Sequence, residues 1–118
     1  MSGVSIIPAD TRRKIIEALS LEMSYRKLAE SLGVTPASIY KYLRGVAVPR
    51  DTVVEKALRL SADLGIEEVG EIIINDIAGE LEKLIEFLIS EGLLPPGTLS
   101  RLSDIIIRAK LALAALPR

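Results

Sequence analysis

Between Arg26 and Gly45 the sequence reads RKLAESLGVTPASIYKYLRG. Thr35, Ser38, Tyr40, Lys41 and Arg44 bring hydroxyls and cations into one short segment, and Ala37 adds a methyl. Such groups suit a nucleic acid: cations and backbone N–H groups meet phosphate oxygens, while hydroxyls, methyls and multiple donors meet base edges. Thr35 and Ser38, at the start of a helix, can also hold a phosphate through free backbone N–H groups. Arg26, Lys27 and Arg50 flank the segment and add attraction that weakens with salt. Each residue also has a plainer role open to it, Thr35 and Ser38 as helix caps and Lys41 and Arg44 as cations near a helix C-terminus.

Other chemistries are closed off by composition. The 118 residues contain neither Cys nor His. Disulfides, thiolate metal sites and Ser/His or Cys/His catalytic arrangements are therefore excluded. Asp76, Glu80, Glu82 and Glu86 read as a solvated helix face instead of a catalytic cluster, so we expect no enzyme, no metal and no cofactor. No polar residues converge among the aliphatics as a small-molecule pocket requires. There is no leader-like segment and no uncharged apolar run long enough to span a bilayer, which points to a soluble, cytoplasmic protein without membrane contact. Hydrophobic residues make up 49% and aromatics only 3%, so the core must be aliphatic. The absence of Gln and the single Asn, Asn75, fit a thermophilic source.

The elements that must position the polar segment are helical. In ADTRRKIIEALS, Asp10 is expected to cap a helix that turns Ile15, Ile16 and Leu19 to one side. Ser24 caps a second, carrying Leu28, Ala29 and Leu32, and Gly33 is its left-handed terminus. Thr35 caps a third and Pro36 takes its first position, where a missing N–H is harmless. Asp51 is expected to cap a fourth, with Val53, Ala57, Leu60 and Leu64 as its apolar stripe and Gly65 as its stop. From Glu67 to Gly92 the pattern is helical, with a weak point between Asn75 and Gly79. A connection through LLPPG leads to a last helix ending near Leu116. The reading is all-α: a compact domain of four to five helices over residues 1–74, then a helical hairpin over 75–118.

The connector of Gly33, Val34 and Thr35 forces the second and third helices to cross sharply. A small residue at Ala29, a glycine at Gly33 and apolar residues at Leu28, Leu32, Val34, Ile39 and Tyr42 are what such a crossing needs. Here the chain resembles the lambda-repressor and Cro-like helix-turn-helix family of DNA-binding domains, from about Asp10 to Val69. That resemblance implies that the helix over 36–44 lies in the major groove of double-stranded DNA while the preceding helix crosses the backbone. Two positions depart from the family pattern. Many members carry Gln in place of Tyr25, where it touches phosphate, and an acidic residue in place of Leu43.

The C-terminal helices carry a heptad seam: Ile77, Leu81, Leu84 and Leu88 in one, and Leu99, Leu102, Ile106, Ala109, Leu113 and Leu116 in the other. Their apolar stripes are wider than one hairpin covers, so a homodimer interface is expected at Ile77, Leu81, Leu84, Leu88, Leu102, Ile106, Ala109 and Leu113. Charge is divided as well. Residues 1–60 hold 10 Lys+Arg against 6 Asp+Glu, net +4, and residues 61–118 hold 5 against 10, net -5, which sum to the formal -1. A basic half for a polyanion and an acidic half turned away from it follow. Together these features describe a sequence-specific regulator of transcription, a dimeric repressor. The alternative is an antitoxin-like or adaptor protein whose hairpin binds another protein.

Overall fold

A computed structural model describes residues 2–117. Within them the chain is all helical: a 3-10 turn at Val4–Ile6 precedes α1 (Ala9–Ser20), α2 (Tyr25–Leu32), α3 (Pro36–Leu43), α4 (Asp51–Leu64), α5 (Glu68–Ser90) and α6 (Ser100–Ala114). It divides into two compact units, Met1–Glu80 and Leu81–Arg118.

The first unit is built round one aliphatic core. Ile15, Ile16 and Leu19 of α1 are at most 1% exposed, as their spacing on one helical face demands. Leu28, Ala29 and Leu32 of α2, Ile39 and Tyr42 of α3, and Val53, Val54 and Ala57 of α4 join it. The stripe on α4 differs from the expected one. Val54 and Ser61 are buried and Leu60 is half-buried, while Leu64, on the same face but at the last helical position before left-handed Gly65, is exposed.

Two expected caps are not caps. Pro8, in extended conformation, stands before Ala9, so Asp10 lies inside the first turn of α1 and its carboxylate takes Arg13 Nε at 3.0 Å. Asp51 is the first residue of α4, preceded by Arg50 in the cap position, and its carboxylate pairs with Arg12 Nη2 at 2.9 Å. Both carboxylates still face a helix N-terminus, where negative charge is favoured.

Arg12 organises the start of the chain. It is buried, and its guanidinium donates to the carbonyls of Ile7 at 2.9 Å, Pro49 at 2.8 Å and Val4 at 3.0 Å. The residues just before α1 are thereby drawn in, with Val4 and Ile7 in the core.

Helix α5 passes through Asn75–Gly79 without a break. Its first half belongs to the first unit: Val69 is buried, and Ile73 and Ile77 pack against the same core. Asp76 accepts from Thr11 Oγ1 at 2.8 Å and from Lys14 Nζ at 3.0 Å. Those two donors hold its carboxyl below the ordinary carboxylate range.

In the second unit, Gly92 at φ 70° ends α5, with Leu93 N–H bonded to the Leu88 carbonyl at 2.9 Å. Leu88, Leu94 and Leu102 are half-buried, and no described residue of α6 is buried. Leu84, Phe87 and Ile89 of α5 and Ile105, Ile106, Ile107, Leu111 and Leu113 of α6 remain exposed. Among the described residues, no helix is long and apolar enough to cross a membrane.

Candidate nucleic-acid interface

Helix α2 begins at Ser24, whose Oγ accepts from the Lys27 N–H at 3.2 Å. It ends at Gly33, at φ 71° and ψ 32°, a left-handed conformation that a side chain would strain. A Cβ there would also meet Lys56 Nζ at 3.1 Å. Val34 N–H then bonds back to the Ala29 carbonyl at 2.9 Å, closing the turn. At the next residue, Thr35 Oγ1 accepts from Ser38 N–H at 3.2 Å and shares a hydrogen bond with Ser38 Oγ at 3.0 Å. With Pro36 in the first position, α3 starts where the sequence requires.

Helices α2 and α3 pack on one another, with α1 and α4 behind them. Ile39 and Tyr42 hold the inner face of α3, and Leu43, half-buried, packs against the same core. A leucine at that family-variant position therefore adds apolar contact.

The outer face is left to solvent. Ala37, Tyr40, Lys41 and Arg44 are exposed and Ser38 is half-buried. Arg26 and Lys27 on the first turn of α2, Thr35, and Arg50 before α4 are exposed too. The structure thus puts every residue expected to meet DNA at or near the surface of the first unit. Thr35 and Ser38 also perform the plainer capping role.

The cations of the first unit differ in their ion pairing. Arg12, Arg13, Lys14 and Arg59 are in ion pairs, and Asp10 with Glu17 holds the Arg13 pKa above its ordinary value. Among the described residues Arg26, Lys27, Lys41, Arg44 and Arg50 have no such carboxylate partner. Arg26 and Lys27 moreover occupy a helix first turn that contains no acidic residue. Cations there oppose the helix dipole by a few tenths of a kcal/mol, an arrangement that a phosphate reverses.

One feature of this surface had no signal in the spacing. The rings of Tyr25 and Tyr40, on different helices, meet edge to face with centroids 4.7 Å apart and planes at 76°. Exposed Val46 and Val48, between Arg44 and Arg50, extend the surface beyond α3.

Residues 3–67 match the helix-turn-helix family, from the first 3-10 turn through the whole of α4. The chain belongs to the lambda-repressor and Cro-like helix-turn-helix family. It is accordingly a DNA-binding helix-turn-helix regulator. Helices α5 and α6 lie outside the matched residues. No curated protein and no solved structure matches the chain.

Of the residues expected at a dimer interface, Leu81, Leu84, Ile106, Ala109 and Leu113 are exposed, and Leu88 and Leu102 are half-buried. Ile77 is in part already occupied, since it packs on the core of the first unit.

Proposed function

We propose that this helix-turn-helix protein is a sequence-specific repressor that binds as a homodimer, with α3 in the major groove of each half-site. The observation that carries the reading is the outer face of α2 and α3, where exposed Ala37 and Tyr40 and half-buried Ser38 share the surface with Arg26, Lys27, Lys41 and Arg44, which, like Arg50 before α4, have no carboxylate partner among the described residues. Lys41 and Arg44 are suited to guanine edges or phosphates, Ala37 to a thymine methyl, and Arg26, Lys27, Thr35 and Arg50 to backbone phosphates. Repression asks for nothing further, because occupying a promoter site is itself enough to block it.

Dimerisation is the part assigned to residues 75–118. Apolar residues along α5 and α6 are exposed, among them Leu84 at 52%, Ile106 at 54% and Leu113 at 66%, and large exposed apolar surface marks interaction sites. Each such side chain, once fully buried against a second copy, contributes about 1.5–3 kcal/mol. Two copies also make a two-fold reader for a palindromic site.

Selection of sites from random duplex DNA, with sedimentation of the same protein, tests both halves of the proposal. The expected result is a palindrome whose half-sites lie about one helical turn apart, bound by a dimer that Ile106→Asp converts to monomers by placing an unpaired carboxylate in the interface. A monomer at micromolar concentration would remove the dimer and turn the apolar surface into a site for another protein, as in an antitoxin or adaptor. Failure to enrich any sequence would remove the specific reader.

A further inference from the structure

The pairing of Tyr25 with Tyr40 deepens the DNA-reading proposal and rests on it. Tyr40 projects from the outer face of α3 and is 56% exposed. Tyr25 is the first residue of α2, immediately after the Ser24 cap, and is half-buried against the core. Their edge-to-face contact at 4.7 Å joins an anchored ring to an open one.

The consequence concerns freedom. Lys41 and Arg44 sit on long stems and can follow a base or a phosphate over several ångströms. A tyrosine has only two side-chain torsions, and one whose ring leans on a fixed neighbour loses most of the freedom that remains. Tyr40 therefore presents apolar ring surface in one orientation on the face that enters the groove. The thymine 5-methyl is the apolar feature of the major-groove edge, and a rigid ring is suited to select it. Tyr25, with its ring engaged in this contact, is poorly placed to serve as the phosphate ligand that a glutamine supplies in other family members.

We propose that Tyr25 is a positioning residue that holds Tyr40 to read a thymine-bearing base pair in each half-site.

The test compares site-selection profiles and salt dependence for the wild-type protein, Tyr25→Ala, Tyr25→Phe, Tyr40→Ala and the double Tyr25→Ala/Tyr40→Ala variant, with helicity and melting checked for each. Tyr40→Ala is expected to erase a thymine preference at one position of the half-site. Tyr25→Ala is expected to weaken the same preference by about 2- to 12-fold, the worth of an edge-to-face ring pair, with other positions and the salt slope unchanged. Tyr25→Phe keeps the ring and restores the preference. The double variant matches Tyr40→Ala, because the two residues act as one unit. A Tyr25→Ala profile identical to wild type, beside an altered Tyr40→Ala profile, overturns the positioning role and leaves DNA reading intact. An affinity loss that Tyr25→Ala and Tyr25→Phe share and that is uniform across sequences, with an unchanged profile, makes the Tyr25 hydroxyl a phosphate contact, which also overturns it. A wild-type protein that selects no sequence overturns the underlying reading together with this inference.

Discussion

An arginine on the inward face of a helix is costly unless its nitrogens are hydrogen-bonded, and each of the three in Arg12 meets that condition through backbone carbonyls or Asp51. Replacing it by Met preserves bulk but leaves the buried carbonyls of Ile7 and Pro49 without this donor, at about 1–3 kcal/mol for each group. Arg12→Met is therefore expected to destabilise the first unit by about 2–5 kcal/mol in urea unfolding, and Arg12→Lys to recover only part, since an ammonium lacks the fork. A loss near zero would show that the N-terminal segment is not held by this residue. The spacing of Ile15, Ile16 and Leu19 does place Thr11 and Arg12 on the same helical face one turn earlier. What the spacing omits is the set of carbonyls that makes a charge acceptable there, because Val4 and Pro49 reach Arg12 only after folding. Asp10 and Asp51 illustrate the same gap on a smaller scale. Their type fits an N-cap, yet the preceding Pro8 and Arg50 take the extended conformation and the carboxylates go to Arg13 and Arg12. The Tyr25–Tyr40 contact was equally hidden, as two rings on separate helices have no shared periodicity.

Elements were more legible than contacts. Gly33 as a left-handed stop, Thr35 as a cap and Pro36 at the first position of α3 act within a few residues of chain, so local chemistry decides them. Helix α5 is the instructive exception. Asn75, Asp76 and Gly79 are poor helix formers and together cost about 2 kcal/mol relative to Ala, which predicts a weak point. In the folded chain Asp76 receives hydrogen bonds from Thr11 and Lys14 while Ile73 and Ile77 pack below it, and the helix continues. Those donors lower the pKa of Asp76, chiefly through Lys14 and then Thr11. A folded-state value below the unfolded one means that the carboxylate stabilises the fold above its unfolded pKa of about 3.9, and that this contribution disappears as pH falls through the lower folded value. Asp76→Asn should thus lower the melting temperature at neutral pH, with the gap to wild type closing as pH falls below the ordinary carboxylate range. A gap independent of pH would assign the effect of the substitution to something other than the carboxylate charge.

For the whole molecule, the division of charge and the location of apolar surface point the same way. The first 60 residues are net +4 and the remainder net -5, and the basic portion contains the cation-rich face of α2 and α3. The stretch assigned to dimerisation begins, by sequence, at residue 75, yet Asp76 and Ile77 serve the first unit. A chain shortened after Ile74 loses both, whereas one ending at Glu80 keeps them. The longer truncation is expected to melt cooperatively, to sediment as a monomer, and to bind a palindromic site far more weakly than the full chain, because each half-site must then be engaged independently. Undiminished affinity would argue against any role for α6 in DNA binding. The claim on which the functional account depends most is that α3 reads DNA, and it is tested most directly by the affinity of wild type and Lys41→Ala for the selected duplex across a salt series. Lys41→Ala is expected to lose about 1–3 kcal/mol in specific binding where Lys41 meets a base, or to show a salt slope smaller by about 1 where it meets a phosphate. Equal affinity and equal slope, with the helicity of the variant intact, would contradict it.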